Sequence, residues 1–194
     1  MIHKTAIIDP SVKIGEDTRI WAFVQIRENA VIGKNCTIGN GSYVDKGVRV
    51  GNNVQMINKV LVHRGVEIED DVFLGPLACF INDRNPRHYQ ERDLSGEVWR
   101  VKRGASVGAG ALICSNVNIG SYALVGAGAI VTKNVPDHGL VYGSPAKLAG
   151  FVCFCGQRLS LDNPAREDEN VKFVCGHCRK EVFIKAEDLK QMSI

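Results

Sequence analysis

The chain has 194 residues, a formal net charge of +3 and apolar side chains at 45% of its positions. That length accommodates one ordinary domain, or one domain with a small appendage. The charge is too small and too dispersed to indicate nucleic-acid binding, and no run of about eighteen apolar residues indicates a membrane span. Residues 1–20 lack the apolar segment of a signal peptide, so we expect a cytoplasmic protein without a membrane partner. Free thiols at Cys36 and Cys114 suit that reducing compartment.

Large apolar side chains recur at every sixth position over most of the chain. The first run comprises thirteen such positions: Ile8, Ile14, Ile20, Ile26, Ile32, Ile38, Val44, Val50, Met56, Val62, Ile68, Leu74 and Phe80. The second run comprises Val101, Val107, Ile113, Ile119, Val125 and Val131. A period of six fits neither a helix nor a simple alternating strand, and it indicates an all-β fold, a parallel β-helix in which three hexapeptides form one triangular coil. The nineteen positions predict about six coils.

Small residues and glycines follow these apolar positions in a regular way. A small or β-branched residue lies four positions later, as at Thr18 and Ser42, and is expected near a corner of the coil. Glycine often comes directly after the apolar residue, as at Gly33 and Gly51. Such glycines serve either turns with positive φ or close approach of neighbouring backbones, and the sequence leaves both reasons open. Function is therefore expected where the period breaks.

The period first breaks between Phe80 and Val101, whose separation of twenty-one positions is not a multiple of six. Residues 81–100 are therefore predicted to form an inserted loop, and such insertions in repeat proteins often build the binding face. A solvated surface loop is the alternative interpretation. The segment contains Tyr89 and Trp99 together with side chains able to hold phosphate or carboxylate. These side chains are Asn82, Arg84, Asn85, Arg87 and Arg92.

The second break comes after Val135 and Pro136, and residues 143–147 are expected to close the β-helix. We predict a β-helix domain over residues 1–150 and a small zinc-ribbon-like domain over residues 151–194. Two cysteine pairs with nineteen residues between them, Cys153 with Cys155 and Cys175 with Cys178, resemble the two knuckles of a zinc ribbon. Four thiolates leave no open coordination position, so the predicted Zn²⁺ is structural. Disulfides are the alternative, and His177 is a possible replacement for one cysteine ligand.

Several stretches of the β-helix region together resemble the left-handed β-helix acyltransferases. They are the hexapeptide run and residues 2–6, 126–131 and 143–147. Residues 19–24, 75–76 and above all 80–87 are similar to enzymes that N-acetylate the 3-amino group of nucleotide-linked deoxyamino sugars. Both the UDP-linked aminoglucuronate type and the dTDP-linked 3-amino-3,6-dideoxyhexose type are similar. The resemblance covers most of the predicted β-helix domain and implies acetyl-CoA as donor, a homotrimer, and active sites in clefts between neighbouring subunits.

The same resemblance implies roles for particular residues. The pantetheine arm of CoA would bond backbone groups of Ala109 and Ala127, which are separated by three hexapeptides, or one full coil. Lys133 and Lys147 would neutralise the CoA phosphates, and Asn82 would contact the reacting amine. The sugar-nucleotide pocket would be lined by Asp83, Arg84, Asn85, Arg87, Glu91 and Arg92.

The expected chemistry depends on whether the acceptor is an amine or a hydroxyl. A neutral sugar amine can attack a thioester without a strong base, whereas a hydroxyl normally needs a positioned histidine. The chain has Gln25 where relatives often have a histidine, and His63 where an aromatic residue is usual. We therefore predict N-acetylation of a nucleotide-linked amino sugar for surface polysaccharides, with Asn82 orienting the amine or the thioester oxygen. An O-acetyltransferase that uses His63 as general base is the main alternative.

Two other function classes also remain open. A metal-dependent carbonic anhydrase can use this fold, but it requires three converging histidines, and His63 and His88 do not supply an evident set. The other class is a non-catalytic scaffold or a nucleic-acid module built on the ribbon, and the acidic stretch 162–170 disfavours binding to a phosphate backbone.

Overall fold

The computed structural model describes residues 1–89, 98–160, 165–167 and 169–192. The β-helix strands are β1 (Ile7–Ile8), β2 (Lys13–Ile14), β3 (Arg19–Ile20), β4 (Gln25–Ile26), β5 (Val31–Ile32), β6 (Thr37–Ile38), β7 (Tyr43–Val44), β8 (Arg49–Val50), β9 (Gln55–Met56), β10 (Leu61–Val62), β11 (Val66–Ile68), β12 (Phe73–Leu74), β13 (Cys79–Phe80), β14 (Trp99–Val101), β15 (Ser106–Val107), β16 (Leu112–Ile113), β17 (Leu124–Val125) and β18 (Ile130–Val131). The C-terminal elements are β19 (Gly139–Gly143), β20 (Ala146–Phe151), β21 (Ala165–Glu167), β22 (Asn170–Val174), β23 (Glu181–Lys185) and the helix α1 (Ala186–Leu189).

The strands stack on three faces, as the period of six predicts. The first face has the order β1-β4-β7-β10-β13-β16-β18, the second β2-β5-β8-β11-β14, and the third β3-β6-β9-β12-β15-β17-β19-β20. All these pairs are parallel except β19 with β20, and Ile8 pairs with Ile26, the register residue one coil later. The predicted parallel β-helix of hexapeptides is therefore confirmed.

The apolar register residues form the core, and the small residues fill the corners. Ile20, Ile38 and Leu74 are fully buried. Thr18 is buried at a corner, where its hydroxyl donates to the carbonyl of Gly33 at 2.7 Å and accepts from the N–H of Cys36 at 3.0 Å. Small polar residues thus satisfy backbone groups that a larger side chain would displace.

The β-helix continues beyond the last predicted register position. Val135 bridges to Ile119, and Val141 in β19 pairs with Val125, so both take places in the stack. The first face alone has seven strands, against the prediction of about six coils. Val135 comes four positions after Val131, not six, so the period of six does not predict that Val135 belongs to the stack.

The insertion enlarges one coil without disturbing the coils on either side. Ile68 pairs with Val101, so this coil is longer than its neighbours by the inserted segment. The sequence places Trp99 in the predicted insertion, but in the structure it is the first residue of β14 and its side chain is only 1% exposed. Its side chain is therefore a core residue, not a ligand-facing aromatic.

The two reasons for glycine apply at different positions. A Cβ added to Gly33 would lie 2.3 Å from the carbonyl oxygen of Gly51, so the glycine after the register residue permits close approach of the next coil. Positive φ occurs instead three residues after the register position, as at Asn35 (φ 55°) and Gly47 (φ 70°). Asparagine and glycine tolerate that left-handed conformation best, which explains their frequency there.

The C-terminal region adds an antiparallel layer to the end of the β-helix. Strands β21, β22 and β23 form a three-stranded antiparallel sheet. Phe173, Val182 and Ile184 of this sheet belong to the same buried cluster as the β-helix core. Among the described residues, no helix is long and apolar enough to cross a membrane.

Candidate functional site

The two predicted catalytic residues emerge at the same corner of the β-helix. Val62 of β10 pairs with Phe80 of β13 on the next coil. His63 comes directly after Val62, and Asn82 comes two residues after Phe80. Adjacent strands are about 4.8 Å apart, so the two half-buried residues lie on neighbouring coils. The insertion begins at this corner.

His63 lies against a polar cluster from the preceding coil. Its ring centroid is 5.8 Å from that of Tyr43. Asp45 follows Val44, the partner of Val62, so it occupies the position of His63 one coil earlier. The Asp45 carboxylate accepts hydrogen bonds from the Tyr43 hydroxyl at 3.0 Å and from the N–H groups of Lys46 and Arg64 at 2.8 and 3.2 Å. Burial alone would raise the pKa of this carboxyl, but these hydrogen bonds and the nearby imidazole hold the pKa below its usual value.

The first residues of the insertion form a tight turn with polar side chains outside. The N–H of Asn85 donates to the carboxylate of Asp83 at 2.9 Å, and the guanidinium of Arg87 donates to the carbonyl of Pro86 at 2.8 Å. Arg84, Asn85 and Arg87 are exposed. Two predicted substrate-binding residues, Glu91 and Arg92, lie outside the described residues.

A cleft of about 510 Å³ opens between this turn and the later coils. Its walls carry a carboxylate, two cations, amides and a hydroxyl, from Asp83, Arg84, Ser115, Asn116, Lys133 and Asn134. Ser115 follows β16 as Asn82 follows β13, so the two occupy equivalent positions on adjacent coils. Ser115 is 6% exposed, and its hydroxyl has no hydrogen-bond partner within the described part of the chain.

A second cleft, of about 400 Å³, lies at the C-terminal end of the β-helix. It brings together Lys133 and Lys147, the two residues predicted to bind CoA phosphates, and its wall includes Gln191. Lys133 lines both clefts. The two clefts therefore adjoin along one side of the last coils.

Ala109 and Ala127 lie on adjacent coils, as their spacing predicts, but at a different corner. Both are exposed, and the N–H of Gly128 donates to the carbonyl of Ala109 at 2.8 Å. They follow strands of the third face, whereas Asn82 follows a strand of the first face. One face of the β-helix separates the two corners, so a single chain does not bring these groups together.

The four predicted metal ligands converge. The sulfur atoms of Cys153 and Cys178 are 3.4 Å apart, those of Cys155 and Cys175 are 3.7 Å apart, and all four lie within 4.8 Å of one another. A tetrahedron of thiolates around Zn²⁺ has S···S edges of about 3.8 Å, whereas a disulfide needs about 2.05 Å. These cysteines are free thiols in the structure, and the donor set fits a tetrahedral Zn²⁺.

The knuckle backbone favours the thiolate form at one cysteine. N–H groups of Cys178 and His177 lower the pKa of Cys175 to about 6, while burial raises the pKa of Cys153 to about 12. Within the described ranges, the four cysteines are the only group of three or more His, Cys, Asp or Glu side chains placed to hold a metal ion, and His177 lies outside it. The three converging histidines of a carbonic anhydrase are likewise not present in those ranges.

Sequence reasoning missed three polar groups of this region: Asp45, Ser115 and Gln191. Asp45 occupies the position of His63 one coil earlier, and Ser115 occupies the position of Asn82 one coil later. Counting back three hexapeptides from His63 would therefore have found Asp45. Gln191 has no such signal, because its position depends on how the C-terminal segment folds back.

Known proteins show the same fold and class of chemistry. A family model described as bacterial transferase hexapeptide (six repeats) matches residues 11–46. The dTDP-3-amino-3,6-dideoxy-alpha-D-galactopyranose 3-N-acetyltransferase of Aneurinibacillus thermoaerophilus is 45% identical over 165 residues, which cover 84% of this chain and 85% of that enzyme. Serine acetyltransferase 4 of Arabidopsis thaliana is 33% identical over 68% of this chain, but the chain spans only 32% of that enzyme.

A solved structure extends the comparison. A variant of GDP-perosamine N-acetyltransferase from Caulobacter crescentus, in complex with CoA and GDP-perosamine, matches with a TM-score of 0.54 at 25% identity. The match covers 77% of this chain and 55% of that one. The three-faced coil and these relatives together define a left-handed β-helix acetyltransferase. The chain belongs to the hexapeptide-repeat acyltransferases, the family of the Aneurinibacillus enzyme.

Proposed function

We propose that this chain transfers the acetyl group of acetyl-CoA to the 3-amino group of a UDP- or dTDP-linked amino sugar in surface-polysaccharide biosynthesis. The observation that carries the proposal is the 45% identity, over 84% of the chain, to an enzyme named as a dTDP-3-amino-sugar 3-N-acetyltransferase. The polar corner built by His63, Asn82 and the start of the insertion supports it.

Asn82 orients the acceptor in this proposal. The neutral amine nitrogen attacks the thioester carbon, the C–S bond breaks, and the CoA thiolate takes up the proton that the new ammonium loses. An amine needs no strong base beforehand, so an amide that positions the amine or the thioester oxygen, with a backbone N–H for the oxyanion, is sufficient. Arg84, Arg87 and Asn85 bind the nucleotide phosphates and sugar, together with Asp83. Glu91 and Arg92 are proposed, on the sequence alone, to line the same sugar-nucleotide pocket.

One observation favours the O-acetyltransferase alternative. The ionised Asp45 carboxylate lies one coil from His63, at the equivalent position. A carboxylate close to an imidazole stabilises the imidazolium that forms when histidine takes a proton. His63 would then be the general base for a hydroxyl acceptor.

We further propose that the active unit is a homotrimer. Ala109 and Ala127, assigned to the pantetheine arm, lie one face away from Asn82, so a neighbouring subunit has to bring the two corners together. Exposed apolar side chains at the corner of Ala109, namely those of Phe23 and Leu77, support a subunit contact there. Light scattering should give the mass of three chains, and a monomer mass at micromolar concentration would contradict this assembly.

The ribbon is proposed to hold one structural Zn²⁺ through Cys153, Cys155, Cys175 and Cys178. The convergence of four sulfur atoms without disulfide bonds supports this assignment. The free thiols also support the proposed cytoplasmic location, because reducing compartments keep cysteines unpaired.

The proposed function is tested by product analysis. Purified protein is incubated with acetyl-CoA and a panel of UDP- and dTDP-linked 3-amino sugars, with the corresponding 3-hydroxy sugars as matched controls. We expect release of free CoA and an acetylated product only with amino sugars. An amide survives mild alkali, whereas an acetyl ester is cleaved; an alkali-labile product would favour the O-acetyltransferase alternative.

A further inference from the structure

The end of the chain lies at the cleft that holds the two lysines. Gln191, which follows α1, is in the wall of this cleft with Lys133 and Lys147. Its side-chain amide donates to the carboxylate of Asp188 at 3.0 Å, which fixes the orientation of the amide. Leu189 and Met192, on either side, pack against the buried core. The C-terminal segment is therefore anchored where the CoA phosphates are proposed to bind.

An aromatic contact fastens the first cysteine knuckle to the β-helix. Phe154 lies between Cys153 and Cys155, and its ring meets those of Tyr122 and His138 edge-on, each at a centroid distance of 4.7 Å. Tyr122 and His138 stack on each other at 5.4 Å with an interplanar angle of 17°. Edge-to-face pairs of this kind stabilise a contact beyond the effect of the apolar area they bury.

Backbone hydrogen bonds reinforce the same junction. The N–H of Val152 donates to the carbonyl of His138 at 2.8 Å, and the Nδ1–H of the His138 ring donates to the carbonyl of Val152 at 2.9 Å. His138 is buried, so loss of these bonds would leave polar groups without partners. The residue beside the first metal ligand is thereby tied directly to the last coil.

We propose that the C-terminal ribbon forms part of the acetyl-CoA site. Gln191 and its neighbours form one wall of the cleft that holds Lys133 and Lys147. Phe154 is the positioning residue that fixes the ribbon on the β-helix. This inference rests on the proposed function, since it assigns the cleft of Lys133 and Lys147 to CoA. The metal knuckle acts through Phe154, because binding of Zn²⁺ by Cys153 and Cys155 fixes the loop that carries this ring.

The test compares two phenylalanines of the ribbon. Phe154 is 42% exposed and contacts the β-helix, whereas Phe183 is 47% exposed on β23. In the zinc-loaded protein, Phe154→Ala should weaken CoA binding, measured by calorimetry, by roughly 5- to 20-fold, while Phe183→Ala should stay close to the parent. The KM for acetyl-CoA should rise with Phe154→Ala, with the KM for the acceptor and kcat nearly unchanged. Equal CoA affinity in the two variants would overturn the proposal.

Two further measurements keep the test decisive. If Phe154→Ala loses zinc, Tyr122→Leu removes the same contact from the β-helix side and should weaken CoA binding similarly while retaining one equivalent of metal. Gln191→Ala should weaken CoA binding a few-fold, whereas Gln157→Ala, an exposed glutamine in the knuckle, should not. Unchanged affinity in both Tyr122→Leu and Gln191→Ala would sink the proposal.

The failure of this inference is distinguishable from failure of the proposed function. A parent protein that does not bind CoA contradicts the function itself. A parent that binds CoA and acetylates an amino sugar, with CoA affinity indifferent to Phe154, contradicts only the role of the ribbon.

Discussion

The β-helix and the C-terminal ribbon bury their apolar side chains in different ways. In the β-helix, each strand pairs with the strand one coil later, so each coil is covered by the next and the core extends along the axis. The ribbon has one three-stranded sheet, whose few apolar residues join the end of that core. A segment of about forty residues rarely buries enough apolar surface to fold alone and usually requires a metal or disulfide. Repetition stabilises the first region, and metal ligation would stabilise the second.

The largest expected effect follows from removing a metal ligand. Cys175→Ser should eliminate about one equivalent of zinc per chain and unfold the ribbon, while the β-helix stays folded, because binding in such sites is worth on the order of 10 kcal/mol. Metal analysis and limited proteolysis measure the two outcomes. Cys79→Ser, at a free thiol outside the cluster, is the matched control and should keep the metal. Parent protein never exposed to chelator that contains less than about a tenth of an equivalent would contradict the site.

The next effect tests the close packing of coils in the β-helix. Gly33→Ala would place a methyl group 2.3 Å from the carbonyl oxygen of Gly51, so two coils would have to separate, at a cost of about 3 kcal/mol or more. Gly47→Ala meets nothing within 4 Å and only strains a residue with φ of 70°, at roughly 1–2 kcal/mol. Urea denaturation compares the two free energies of unfolding. Equal losses would mean that glycine serves backbone conformation at both positions and that coil spacing does not limit the fold.

The two regions also differ in how far the sequence predicts them. The register residues of the β-helix were predictable because each obeys one spacing rule, and so was the convergence of four cysteines with known knuckle spacings. The places of Trp99 and Val135 were not, because the insertion and a spacing of four conceal their register. Gln191 and Phe154 acquire their surroundings only when the C-terminal segment packs on the last coil. Such contacts follow from tertiary packing, which no local pattern encodes.

A third prediction concerns catalysis at the corner where the insertion begins. If the acceptor is an amine that Asn82 orients, Asn82→Ala should lower kcat/KM by about 10²-fold, near 2.7 kcal/mol, as for loss of one positioning or oxyanion contact. His63→Ala should cost much less, because no obligatory base is removed. Steady-state kinetics of both variants with the same amino sugar measure the ranking. A nearly inactive His63→Ala beside a normal Asn82→Ala would instead show that the reaction requires a base.

The smallest expected effect separates stability from catalysis in the repeat itself. Asp45→Asn removes the charge from a carboxylate that accepts three hydrogen bonds, and should cost about 1–2 kcal/mol of unfolding free energy at pH 7. Because the folded-state pKa of Asp45 lies below its usual value, this contribution is present above the unfolded pKa of about 3.9 and is lost as the pH falls through the folded pKa. The difference between the parent and Asp45→Asn should therefore shrink below about pH 4 in denaturation curves measured from pH 7 downward.

Asp71→Asn is the matched control for this change. Asp71 is exposed and accepts one hydrogen bond, from the side-chain amide of Asn53 at 2.9 Å, so its substitution should change the free energy of unfolding by less than about 0.5 kcal/mol. Activity supplies the second readout. If Asp45 only joins adjacent coils, Asp45→Asn should leave kcat/KM with an amino sugar close to the parent value. If Asp45→Asn instead lowers kcat/KM as much as His63→Ala does, with the fold intact, then Asp45 and His63 act together in catalysis.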